Sequence, residues 1–108
     1  MAKKPDLEAV FRQYNRKYFK NRLKVSAVRF GKCIYSGETT FFDSCSPIIT
    51  ISRTLAGYGR FVRIILLHEM RHVAMADAAD VGYGVGHGPK FIRSGRRLVS
   101  KGAYDDLI

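Results

Sequence analysis

Residues 68–72 read His-Glu-Met-Arg-His, and the third histidine of the 108-residue chain is His87. With three His and three Glu available, roughly 0.002 matches to the pattern HExxH are expected by chance, so the spacing asks for a physical reason. Residues four apart on a helix stand on one face, one turn apart. Two imidazoles placed so can close on one Zn²⁺ at about 2.0–2.1 Å. Glu69 lies one position after the first imidazole. Its carboxylate can reach a water on the open side of the metal and act as general base. The bland alternative is a helix with two exposed histidines or an i,i+3 Glu69–His72 pair. The apolar residues around the motif argue against it.

A third ligand follows by exclusion. A histidine six residues beyond the motif would fall on Ala78, and no glutamate follows Glu69. The triple-histidine pattern HxxxHxxxxxH would also need His at 78. His87, Asp77 and Asp80 remain. Zinc favours the imidazole nitrogen, and Gly82, Gly84 and Gly86 let the chain reverse and return position 87. Three protein ligands with a fourth position open mark a catalytic rather than a structural zinc. Tyr83, Tyr104 and Arg93 are candidates for an electrophilic helper. The glycines of 84–88 resemble a phosphate loop but lack its Lys-Ser/Thr pair, and nothing near Cys33 would activate its thiol.

These residues need elements to hold them. The motif falls in a helix expected from Tyr58 to Asp77, with Phe61, Ile64, Ile65, Leu67, Val73 and Ala76 as its buried face. Residues 5–20 predict an earlier helix, with Pro5 in its first turn and Asp6 and Glu8 at its positive end. Its stripe is Leu7, Val10, Phe11, Tyr14 and Tyr18. Between the helices the period changes. Val25 to Phe30, Ile34 to Phe42 and Ile48 to Ile51 predict three strands in a small, mostly antiparallel sheet. Pro89 opens a last helix with Phe91, Ile92, Leu98 and Val99 on its apolar side.

Length and composition bound the rest. One domain over 1–108 is expected, with 46% hydrophobic and 26% charged residues. Uncharged apolar runs such as Ile64–Leu67 span about one helical turn, which excludes a membrane helix of about 20 residues. No apolar signal core follows Lys3 and Lys4. Cys33 and Cys45 predict free thiols in a reducing cytoplasm. The net charge is +10. Residues 1–32 hold ten basic and two acidic residues, and residues 88–104 hold five basic and no acidic ones. Such clusters predict non-specific contact with DNA or another polyanion.

The chain resembles the SprT-like zinc metallopeptidase domain over most of its length. The resemblance is carried by Tyr14-Asn15 and Tyr18-Phe19, by Ile49 to Leu55, by Leu66-Leu67-His68-Glu69-Met70-Arg71-His72, and by Gly86-His87-Gly88-Pro89-Lys90-Phe91. In that family a His in a Gly-His-Gly…Phe segment some fifteen residues past HExxH is the third zinc ligand, and His87 lies fifteen after His72. The resemblance implies an α+β, minimal zincin-like fold: an N-terminal helix, a three-stranded sheet, the zinc helix and a C-terminal helix. It implies His68, His72 and His87 as zinc ligands, and peptide hydrolysis by Glu69-assisted attack of a zinc-activated water. The substrate would be a protein or peptide, adding as a strand to a free sheet edge. Eukaryotic members cut proteins crosslinked to DNA. Many relatives carry a zinc ribbon or DNA-binding extension; no Cys follows Cys45 here, which leaves DNA contact to the basic surface. A basic nucleic-acid-binding module with a non-catalytic zinc site is the alternative, and the intact Glu69 speaks against it.

Overall fold

The chain enters its first helix through Asp6, whose carboxylate accepts the Ala9 N–H at 3.1 Å. The computed structural model describes residues 6–76 and 89–107. The first helix, α1, runs Leu7–Tyr18. The expected stripe is its inner face: Leu7, Phe11, Tyr14 and Tyr18 are buried, and Arg12, Arg16, Lys17 and Lys20 are exposed. One polar residue, Asn15, is buried as well. Its amide donates to the Leu23 carbonyl at 2.9 Å and accepts the Leu23 N–H at 3.1 Å. Its own carbonyl takes the N–H groups of Phe19 and Asn21. Lys20 and Asn21 adopt left-handed φ of 54° and 57° between these bonds, so Asn15 turns the chain toward the sheet.

Three strands follow: β1 (Ala27–Gly31), β2 (Gly37–Thr40) and β3 (Ile48–Ser52), ordered β1-β3-β2. β3 is the most apolar and takes the centre, with Ile49 and Ile51 wholly buried. It pairs antiparallel with β2 and parallel with β1. The expectation of a mostly antiparallel sheet is thus met by one pairing of two. The second expected strand was also too long. Only 37–40 pair, while Ile34 and Tyr35 are 92% and 75% exposed and Phe41 and Phe42 are about half so. Strand propensity reflects burial on a pleated surface, and none of these four residues is buried in the core. Glu8, expected only to favour the start of α1, accepts the Val28 N–H at 3.1 Å and so occupies the outer edge of β1.

A short 3₁₀ turn (Arg53–Leu55) leads into α2 (Gly59–Ala76), which lies across the sheet and touches α1 and α3 (Pro89–Ser100). Val62, Leu66, Leu67, Met70 and Val73 form its core face, each with 1% or less exposed. That face is rotated from the expected one: Phe61 is 47% exposed. A segment apolar nearly all round has no unique amphipathic face, and the neighbours select one. On α3, Phe91 and Leu98 are buried, whereas Ile92 and Val99 face out. Each fully buried Leu or Ile contributes about 1.5–3 kcal/mol by leaving water, enough to fix this arrangement. No helix among the described residues is long and apolar enough to cross a membrane.

Candidate metal centre

The Nε2 atoms of His68 and His72 converge to 3.3 Å. Two nitrogens each about 2.0–2.1 Å from one zinc, at a tetrahedral angle of about 109°, stand roughly 3.3–3.4 Å apart. The imidazole pair therefore fits a shared ion. Ligand atoms of His68, Glu69 and His72 all lie within 4.8 Å of one another. The i,i+4 geometry of α2 puts both imidazoles on one face, one turn apart.

Ring orientation comes from α3. Phe91 stacks on His72 with centroids 4.5 Å apart and meets His68 edge-on at 5.1 Å. Arg71, inside the motif, secures that ring. Its Nε donates to Ser94 Oγ at 3.0 Å, its Nη2 donates to the Phe91 carbonyl, and its guanidinium lies 3.8 Å from the Phe91 centroid. Gly95 makes room for it, since a Cβ there would come within 2.7 Å of Nη2.

Glu69 faces the sheet and is 6% exposed. Gly37 of β2 permits the close approach. A Cβ at that position would lie 2.6 Å from Ile65 Cγ2 and 3.4 Å from Glu69 Cγ. Two residues on, the Thr39 hydroxyl donates to Glu69 Oε1 at 2.8 Å. Burial pushes the Glu69 carboxyl above its ordinary range, the Thr39 hydrogen bond opposes this, and nearby Glu38 adds to it. In the metal-free protein, the protonated carboxyl's contribution to stability is complete below the usual carboxylate range and is lost as pH rises through the raised pKa. Glu69→Gln keeps an oxygen for Thr39 and carries no charge. Metal-free Glu69→Gln should therefore resist urea better than wild type at pH 8, with the gain shrinking as pH falls. Equal stability of the two proteins at pH 8 would contradict this.

The other sequence candidates divide into two groups. His87, Asp77, Asp80, Tyr83 and the glycine-rich 84–88 lie outside the described residues. Arg93 is exposed on α3, and Tyr104 packs against the core beside Tyr14. Cys33 and Cys45 are free thiols, as expected. Burial first, and then Glu38 and Glu69, raise the Cys33 thiol pKa, which disfavours a thiolate there.

A family model, that of the SprT-like family, matches residues 7–105. The chain belongs to the SprT-like family. A search of curated proteins found no match. In this SprT-like chain, HExxH gave the imidazole pair from spacing alone. Sequence reasoning missed Thr39 and Arg71 as neighbours of the centre. Phe91 was read as an apolar residue of the last helix and as part of the family segment, not as a neighbour of the imidazoles. Thr39 had no signal to find, since it is an ordinary strand threonine 30 positions from Glu69.

Proposed function

We propose that the protein is a zinc-dependent metallopeptidase. The observation that carries this is the 3.3 Å convergence of two imidazole nitrogens beside a buried glutamate. His68 and His72 hold the metal, and His87 completes the set. Phe91 supports that choice: it lies four positions after His87 and packs on the His72 ring. Zn²⁺, when bound, supplies Lewis acidity that acidifies a water and polarises a carbonyl oxygen. Glu69 accepts a proton from the attacking water and returns it to the leaving amine. Its burial beside the imidazole pair keeps the carboxylate next to the place where that water would stand.

The substrate is an extended segment of an unfolded protein. β2 pairs with β3 on one side, and no described strand occupies its other edge. The exposed Ile34, Tyr35, Phe41 and Phe42 flank that strand and would meet apolar side chains of an added peptide. Cleavage of fluorophore-labelled, unfolded casein by the zinc-loaded protein, with Glu69→Gln as control, tests the proposal. The free thiols accord with a cytoplasmic location.

The exposed basic residues favour a second role, as a DNA contact that brings substrate to the centre. Arg12, Arg16, Lys17 and Lys20 stand clear of the core on and just after α1, and Arg93, Arg96, Arg97 and Lys101 do so on and just after α3. Binding to duplex DNA should be sequence-independent. Its log affinity should fall with log salt by about 0.9 per phosphate contacted. No binding at low salt would remove this role and leave the peptidase untouched.

A further inference from the structure

Glu69 has two carboxylate oxygens, and the described residues engage only one. Oε1 accepts from Thr39 at 2.8 Å, and no described group donates to Oε2. The torsion at the end of a glutamate side chain is broad and roughly two-fold, so nothing within the residue itself fixes the carboxylate plane. Glu69 lies on the helix that carries both imidazoles, whereas Thr39 comes from a strand. The link between them thus joins the sheet edge to the metal centre.

The backbone delivers Thr39 to this place by three features. β2 alternates, with Gly37 and Thr39 turned inward and Glu38 and Thr40 exposed. Gly37, lacking a Cβ, lets the strand lie against Ile65 and the stem of Glu69. Thr39 pairs in register with Ile49, a wholly buried residue of the central strand, so its backbone is held. A threonine fixed in this way offers one hydroxyl proton and little freedom in aiming it.

We propose that Thr39 is a positioning residue for the reaction proposed above: its hydroxyl fixes the plane of the Glu69 carboxylate through Oε1 and leaves Oε2 to exchange the proton. The assignment rests on the peptidase reading for its consequence, but on the hydrogen bond for its existence. It makes the strand beside which a peptide would bind the same strand that orients the base.

Thr39→Val keeps the shape and deletes the hydroxyl, whereas Thr39→Ser keeps the donor. With zinc-loaded full-length protein and labelled unfolded casein, Thr39→Val should lower kcat by about 10–100-fold, the usual effect of losing such a supporting partner. KM, zinc content and melting temperature should hold, and Thr39→Ser should recover most of the rate. A second readout needs no activity. In metal-free protein carrying ¹³C-labelled glutamate, the Glu69 carboxyl resonance should move in Thr39→Val and stay near wild type in Thr39→Ser. An unmoved resonance in Thr39→Val overturns the proposal whatever the casein result. Unchanged kcat, or a loss that Thr39→Ser fails to recover, also overturns it. Wild type inert on casein removes the peptidase reading and, with it, the catalytic consequence, while the resonance still decides the hydrogen bond.

Discussion

Zinc-loaded Glu69→Gln should keep its metal and lose at least about 10²–10⁴-fold of the proposed peptidase rate, the usual worth of a positioned general base. The substitution is nearly isosteric. The amide oxygen can still accept the Thr39 hydroxyl, so the strand and helix stay in register. His68 and His72 are untouched, and neither the helix nor the Phe91 ring that packs on them changes. What disappears is the ability to take a proton from water. Metal content by elemental analysis and cleavage of unfolded casein separate the two effects. Cleavage that persists in Glu69→Gln would refute the mechanism, since no other described acid lies in the cluster with the imidazoles. Wild type and variant equally inert, yet equally able to bind DNA, would favour a binding module.

Removal of zinc from the loaded protein should lower the melting temperature by an amount on the order of 15 °C. A ligand at a thousand times its Kd adds about 4.1 kcal/mol, and about 1 kcal/mol moves the melting point of a domain of this size by about 4 °C or more. Zinc would tie α2 to the segment that leads into α3. Chelation should not unfold the chain at 25 °C, because protein contacts already join the two helices. Arg71 bonds Ser94 and the Phe91 carbonyl, and Phe91 packs on both imidazoles. Helical circular dichroism should persist in EDTA while the melting curve shifts. His68→Ala, His72→Ala and His87→Ala should each weaken zinc binding strongly. Full zinc affinity in His87→Ala would move the third ligand to Asp77 or Asp80. An unshifted melting point, with zinc shown to have left, would uncouple the site from folding.

Much of this centre was legible from neighbours in the chain. HExxH encodes the imidazole pair because helical geometry is local: once 68–72 is helical, the spacing follows. The stripe of α1 was likewise legible, since polar residues interrupt it regularly. The face of α2 was not. Phe61 to Leu67 is apolar on almost every side apart from Arg63, and only the docked sheet and helices chose Val62, Leu66 and Met70 over Phe61. The span of β2 failed for a related reason. Ile34, Tyr35, Phe41 and Phe42 look like strand residues, but propensity does not supply a partner, and none of the four is buried.

By itself, then, the sequence determined the α+β order of elements, the family, and the two imidazoles with the acid between them. Tertiary structure decided the parallel pairing of β1 with β3, because the most apolar strand takes the place where both its edges are covered. It also decided what surrounds the acid and the rings. Thr39 reaches Glu69 across 30 positions, and Arg71 reaches Phe91 and Ser94 across 20 and 23. Such contacts depend on how separate elements pack. That packing is set by apolar burial summed over the whole core, a quantity that no short stretch of sequence contains.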